Sequence, residues 1–364
     1  MVVNQRSYRT KEAGKLALQI AFRLDASFDI GTGHLMRCLT LATQLRALGV
    51  KVAFIVREAE GDRSDYIEQV SGFPLYRIPK NLPKDWQADA HWVMKQLETT
   101  VDWVVVDHYG LDRKWETTLR QKARRIMVID DLANRHHDCD LLLDQNFYEN
   151  FERRYESLIP DSSNTFLGPR YALLRPEFET WRRHLIPRDG LVKKILVSYG
   201  GSDPTGETLK ALCALKPLVH TGLEVSVVIG GANPRNQDIK AMAAGMQNTT
   251  VYLHVDNMAE LMARADLALG ACGSTTWERC SLGLPSMITT VADNQLEAAR
   301  YLEKHHYHYY LGHFDSVTPG MISAKLEEIS ESQDAYLEQS QRCYALVDGI
   351  GTQRVSEALL LAEV

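Results

Sequence analysis

Two glycine-rich turns carry the residue types that could hold a charged ligand. The stretch Gly270 to Pro285, reading GACGSTTWERCSLGLP, follows an apolar run from Asp266 to Leu269 and opens a helix from Ser274 onward. A small-residue turn between a buried strand and a helix leaves N–H groups of the first helical turn unpaired, and the helix dipole adds partial positive charge there. Phosphate suits such a place. Gly273 would let the backbone approach an anion closely, while the hydroxyls of Ser274, Thr275 and Thr276 can cap the helix or meet phosphate oxygens. Glu278, one turn in, could accept two hydroxyl hydrogen bonds from a ribose, or could simply complement the helix dipole.

The second turn is GTGHLMR, Gly31 to Arg37, which opens a helix running to Gly49. Strand, glycine turn and helix again make an anion-binding layout, here with Gly31 and Gly33 in the turn. A dinucleotide fingerprint would need a third glycine at position 36, where the chain has Met36, so a nicotinamide cofactor is not expected.

The elements that must position these turns follow from periodicity. Leu16 to Leu24, Val50 to Arg57 and Leu75 to Ile78 read as strands, with helices over Arg63 to Val70 and Trp86 to Leu97. Asp102 to Asp107, reading DWVVVD, is apolar enough to be buried on both faces, and it delivers Asp107, His108 and Tyr109 to its carboxyl end. Ligands sit at that end of an open α/β sheet. RIMVIDD from Arg125 and DLLLDQN from Asp140 repeat the pattern, so carboxylates collect on one rim, although acidic residues after strands are ordinarily turn formers or caps. Phe166 to Leu174 has no clear period, and Trp181 to Val192 reads as a linker. Alternation restarts at Lys193, with a strand over Ile195 to Tyr199, the loop GGSDPTG from Gly200 to Gly206, strands at Leu223, Val251 and Ser286, and helices from Met258 and Gln295. Two successive units of this kind imply an α/β chain of two doubly wound domains facing across a cleft, residues 16–185 and 186–364, after an N-terminal extension at 1–15. The ligand is expected in that cleft.

Composition narrows the function classes. At 364 residues the chain can bury two cores, and a net charge of −6 argues against a nucleic-acid surface. No apolar run approaches the ~20 residues that cross a bilayer, so no membrane span is expected. Residues 1–15 are basic, and the apolar run after them lacks a small-residue cleavage site, so no secretory signal is read there. Six scattered cysteines without a CxxC pair fit reduced thiols in a cytoplasm, and a structural zinc site is not expected. The group His305, His306, His308 and His313 lacks ligand spacing, and its interleaved tyrosines suggest a strand with one buried face. His136, His137, Asp138 and Asp140 read as a solvated turn.

RLDASFDIGTGHLMRCLTLA at 23–42, DHYGLD at 107–112, IDDLANRHHDCDLLLDQN at 129–146, GPRYALLRPEF at 168–178, VSYGGSDP at 197–204 and the stretch from Gly270 occur in one order. Together they resemble the UDP-sugar hydrolases of pseudaminic acid biosynthesis, within the wider family related to spore-coat polysaccharide proteins and the lipid II N-acetylglucosaminyl transferase. The likeness runs from about Ile20 to about Arg300 and departs at the basic extension and at Leu24, where alanine would be expected. It implies a GT-B arrangement of two Rossmann-like domains and hydrolysis of UDP-2,4-diacetamido-2,4,6-trideoxy-β-L-altropyranose to UDP and free sugar, with no cofactor or metal and no obligatory protein partner. It also implies that the histidine of GxGH, here His34, is catalytic. The nucleotide contacts would fall on Gly200, Gly201, Ser202 and Asp203 and on Ser274, Thr275 and Glu278, and the sugar contacts on Asn294 and Gln295 of the DNQ segment.

UDP is a good leaving group, so one base aiming a water at the anomeric carbon could suffice, with inversion of configuration. At the first turn of a helix the dipole disfavours imidazolium, which suits His34 to that role, while the bland reading is a histidine held by local hydrogen bonds. Arg37 could steer the anionic substrate or pair with a rim carboxylate. A glycosyltransferase on the same fold would differ by admitting an acceptor hydroxyl where water sits, and a non-catalytic nucleotide-sugar binder would use the same seats without turnover.

Overall fold

The computed structural model describes residues 17–25, 33–59 and 65–361; Gly31 and the extension at 1–15 lie outside them. The first sheet holds β1 (Gln19–Leu24), β2 (Lys51–Arg57), β3 (Leu75–Ile78), β4 (Val101–Asp107), β5 (Ala123–Ile129), β6 (Leu141–Asp144) and β7 (Asn164–Leu167). All are parallel, in the order β3-β2-β1-β4-β5-β6-β7. The second sheet holds β8 (Lys194–Ser198), β9 (Glu224–Ile229), β10 (Thr249–Leu253), β11 (Leu267–Ala271), β12 (Ser286–Thr290) and β13 (Tyr309–His313), again parallel, in the order β10-β9-β8-β11-β12-β13. Strand order reverses between β1 and β4 in one sheet and between β8 and β11 in the other. Connections leaving opposite faces of a sheet at such a point open a crevice at the strands' carboxyl ends. The helix opening at Gly33 is the first described element after β1, and the helix from Thr275 follows β11, so each domain's reversal point is followed by the start of a helix.

The helices in chain order are α1 (Gly33–Ala47), α2 (Trp86–Gln96), α3 (Arg113–Leu119), α4 (Pro176–Arg183), α5 (Glu207–Leu215), α6 (Asn236–Ala244), α7 (Met258–Arg264), α8 (Thr275–Ser281), α9 (Leu296–Lys304), α10 (Pro319–Glu331), α11 (Gln333–Leu346) and α12 (Gly351–Leu361). Both sheets are covered on both faces, which is why their strands read as near-continuous Val, Ile and Leu. In the first domain Phe22, Phe54 and Met127 pack on the α1 side, and Val104, Ile126 and Trp115 on the other.

The chain crosses between the sheets twice. Phe178 of α4 is fully buried with Trp277 and Cys280 of the second domain, and Arg182 donates to the carbonyls of Ser281 (2.6 Å) and Tyr344 (2.8 Å). In the segment read as a linker, the Arg188 guanidinium donates to the carbonyls of Met262, Ala265, Leu282 and Gly283 at 2.8–3.3 Å. That stretch is therefore tied to the second domain by a buried cation satisfied on main-chain oxygens. At the other end α12 returns to the first domain, placing Val355 and Leu359 in its core beside α1, with Trp103 Nε1 donating to Leu359 O at 3.1 Å. Gly351 admits this crossing, since a Cβ there would lie 2.4 Å from Ala172 O.

The turn at His136 to Asp140 is not solvated throughout. His137 is buried, its Nδ1 2.7 Å from Glu116 Oε1, because Glu116 on α3 faces inward and needs a partner. His308, just before β13, is buried too and donates from Nε2 to Ala299 O at 2.8 Å. Burial pushes its ring down to about 3 from its ordinary 6.5. Below pH 6.5 the unfolded chain takes up a proton that the folded chain refuses, so stability present above that pH is lost as pH falls toward 3. Two units into that window the loss from this ring is on the order of 2 kcal/mol. Urea unfolding of His308→Gln should therefore show a flatter dependence between neutral and acid pH than the unchanged chain.

Candidate active site

His34 lies in the first turn of α1 and Asp107 at the last position of β4, the two strands either side of the reversal being β1 and β4. Their registers, with Leu24 opposite Asp107, set the carboxylate at the carboxyl end of β1. His34 Nδ1 and Asp107 Oδ1 make a short hydrogen bond, and both residues are buried. Arg37, one turn further along α1, places Nε 2.6 Å from Asp107 Oδ2 and Nη2 2.6 Å from Oδ1, a two-point grip on the same carboxylate. Its Nη1 reaches Asp131 Oδ2 at 3.2 Å, and Cys38 Sγ points at Asp107 Oδ2 from 3.4 Å. Burial opposes the charge on Asp107, but Arg37 and then His34 outweigh it and hold the carboxyl well below the usual carboxylate range. An ionised carboxylate only accepts, so the His34 proton sits on Nδ1; Arg37 Nη2 is farther from that nitrogen, at 3.3 Å. Of the two expectations for Arg37, the pairing with rim carboxylates is the one seen.

Tyr109 packs edge-on to the His34 ring, centroids 4.6 Å apart at 85°, and its hydroxyl is 3.4 Å from Asp131 Oδ2. Burial and then Asp131 push its phenol up. At 38% exposure it remains open to the crevice. His108, between the two, has no nitrogen to spare: Nε2 faces Asp25 Oδ2 at 3.0 Å and Nδ1 accepts from Gly110 N at 3.0 Å. Asp25 belongs to a buried lattice with Arg23, Asp89 and Arg57, in which Arg23 spans both aspartates. That lattice fixes the carboxyl end of β1 and has no counterpart in the sequence reading. The other rim carboxylates act as the bland account has them. Asp130 accepts from Ala133 N (2.9 Å), and Asp144 accepts from Asn146 N (2.9 Å) and pairs with Arg154 (2.7 Å). Burial pushes Asp144 up to about 6.

In the second domain, Gly273 and Ser274 are exposed, and a Cβ on Gly273 would meet nothing within 4 Å. Ser274 is the N-cap residue of α8, yet its hydroxyl makes no capping bond. The next two hydroxyls are engaged: Arg279 donates to Thr275 Oγ1 (3.1 Å), to Thr276 Oγ1 (3.1 Å) and to Ala271 O (3.0 Å), from its place one turn along the helix. The i, i+3 and i, i+4 spacing of Thr276 and Thr275 to Arg279 is a signal the sequence reading did not use. Gly200, Gly201 and Ser202 are likewise exposed, the two glycines again facing open space, and Gly200 has φ +86°. Asp203 is turned inward, its carboxylate accepting from Glu207 N (2.9 Å) and Thr208 N (2.9 Å) at the start of α5. Asn294 is exposed on a single 3-10 turn after β12, and Gln295 Oε1 accepts from Val291 N at 3.0 Å. Glu278 is mostly buried and paired with Arg175 at 3.4 Å. Their separation of 103 residues hid that pair from sequence reading.

Residues 196–349 match the Glycosyltransferase family 28 C-terminal domain. A Campylobacter jejuni protein named UDP-2,4-diacetamido-2,4,6-trideoxy-beta-L-altropyranose hydrolase is 26% identical over 295 residues, which cover 80% of this chain and 98% of that protein. The chain is similar to that protein over most of the length of both. It is also 25% identical to an uncharacterised Methanocaldococcus jannaschii protein over 78% of its own length, spanning 57% of that longer chain. The MurG structure from Acinetobacter baumannii superimposes with a TM-score of 0.66 over 94% of this chain and 99% of MurG, at 16% identity. The fold is thus GT-B, two parallel-sheet α/β domains.

The Arg37–Asp107 pair is buried and held at two points. Arg37→Met, which strands a buried carboxylate, should cost about 3–5 kcal/mol in denaturant unfolding, and the double variant Arg37→Met with Asp107→Leu should cost less than the two single changes added.

Proposed function

We propose that this chain releases UDP from a UDP-linked 2,4-diacetamido-2,4,6-trideoxy sugar by attack of water at the anomeric carbon, with His34 as the base. The observation that carries this reading is the hydrogen bond from His34 Nδ1 to the buried, Arg37-gripped Asp107. With the proton held on Nδ1, Nε2 bears the lone pair that can take a proton from water, and Asp107 steadies the imidazolium that forms. Departing UDP carries charge on its phosphates. The exposed turns Gly200–Gly201–Ser202 and Gly273–Ser274 offer backbone N–H groups and a free hydroxyl to that charge. A base on one domain and an anion seat on the other act together when both hold one substrate. Among the described residues, Asp107 beside His34 is occupied on both oxygens and so is not suited to attack the sugar carbon itself, which supports a single displacement with inversion. The likeness to the Campylobacter hydrolase supports the choice of sugar.

A second reading is a glycosyltransferase using a UDP-amino-sugar donor, favoured by the match to the family 28 C-terminal domain and by the MurG-like fold. The two part on whether an acceptor is needed. Incubated with UDP-2,4-diacetamido-2,4,6-trideoxy-β-L-altropyranose and no acceptor, with and without EDTA, the protein should release UDP. The first-formed sugar should have the inverted anomeric proton by NMR. His34→Ala should lower kcat by about a thousandfold with UDP affinity nearly unchanged. Release only after an acceptor is added would favour the transferase, and a retained configuration would count against the single displacement.

A further inference from the structure

Arg175 stands immediately before α4, where the chain crosses from the first sheet to the second domain, and one of its nitrogens serves two carboxylates. Nη2 is 3.2 Å from Glu177 Oε1 and 3.4 Å from Glu278 Oε1. The side chain is itself only partly exposed, its guanidinium 5.4 Å from the Phe178 ring centre. The charged groups that face Glu278 are Arg175 and Glu177 from the crossover and Arg279 from its own helix. Arg279 is already committed to Thr275, Thr276 and Ala271 O. The crossover arginine is therefore the cation available to balance Glu278 and Glu177 together.

Resting on the reading of Glu278 as the ribose contact, we infer that Arg175 is the positioning residue that keeps Glu278 a carboxylate acceptor for the ribose hydroxyls of the nucleotide. The contact engages Glu278 through Oε1 and from the α4 side. A carboxylate has about four lone-pair sites, so one long hydrogen bond leaves room for a vicinal diol. Burial pushes the Glu278 carboxyl up; Arg175 is the largest influence in the opposite direction, Arg279 follows, and Glu177 adds to the rise. Glu177 is pushed up by burial in the same way, with Arg175 again its chief counterweight. Without Arg175 the two carboxylates would face each other with only the already committed Arg279 as a counter-charge to Glu278, and one would take up a proton. A neutral carboxyl is the weaker acceptor for a ribose hydroxyl.

Calorimetric titration of UDP into the full chain at about pH 6, 7 and 8.5 tests this, each variant read as a ratio to the unchanged protein so that the titration of UDP itself cancels. Arg175→Met should bind UDP about tenfold more weakly than the unchanged chain at the acid end and approach it at the alkaline end. Arg175→Lys should recover most of the affinity. So should Arg175→Met combined with Glu177→Gln, which removes the competing carboxylate rather than restoring a cation. An Arg175→Met protein that binds like the unchanged chain at every pH overturns the inference. So does one weakened equally at every pH and not rescued by Glu177→Gln. Glu278→Ala separates the two levels: undiminished UDP affinity in that variant removes the ribose reading, whereas lost affinity there with unaffected Arg175→Met removes only the role of Arg175.

Discussion

Asp107 ends β4 with a carboxylate that accepts from the ring of His34 and from both Nε and Nη2 of Arg37, with almost no water in reach. A charge so far from solvent persists only if its partners are fixed, and they are fixed by the fold. β4 delivers the carboxylate, α1 presents His34 and Arg37 on the same face three residues apart, and the parallel pairing of β1 with β4 sets the two elements side by side. The arrangement orders a chain of consequences: Arg37 is drawn inward, away from solvent, and His34 has one tautomer. The ring then presents one defined nitrogen to the crevice.

The second domain solves the opposite problem. Where the first crevice is packed with paired charges, the turns at Gly200 and Gly273 leave backbone exposed and unfilled, with the Ser274 hydroxyl making no capping bond. Arg279 stiffens the turn from behind by holding Thr275, Thr276 and Ala271 O, so its charge lies close to the seat without entering it. Exposed glycine backbone beside a held guanidinium is the kind of surroundings in which an anion is accepted. The two crossings, α4 and Arg188 on the second domain and α12 on the first, join the domains through packed side chains at two separate places along the chain.

Much of this was legible in the sequence because parallel sheets covered on both faces write themselves as apolar runs. The strand at Leu75 to Ile78 agrees with the reading at both ends and the one from Ser286 at its start, and the glycine turns follow the strands where order reverses. What escaped it was carried by side chains meeting across long separations or by weak local pattern. β7, reading NTFL, is an edge strand with half its residues exposed and shows no alternation strong enough to find. The helix read over Arg63 to Val70 is described as a π-helical turn over Tyr66–Val70. Glu116 with His137, Arg23 with Asp89 and Arg175 with Glu278 are pairings that topology creates and periodicity cannot encode. Asp203, which the resemblance implies as a nucleotide contact, turns its carboxylate to the first N–H groups of α5, which needed an acceptor.

The most direct test of the account is the turnover of Asp107→Asn on the UDP-diacetamido-trideoxy sugar, measured beside its affinity for UDP. An asparagine can accept at one position and donate at the other, so the His34 tautomer is no longer fixed and the imidazolium is no longer balanced. In that variant kcat should be lowered by about a hundred- to ten-thousandfold with the UDP dissociation constant nearly unchanged. Turnover within about twofold of the unchanged protein, with UDP still bound, would mean that the His34–Asp107 pair is a structural contact and that the base lies elsewhere.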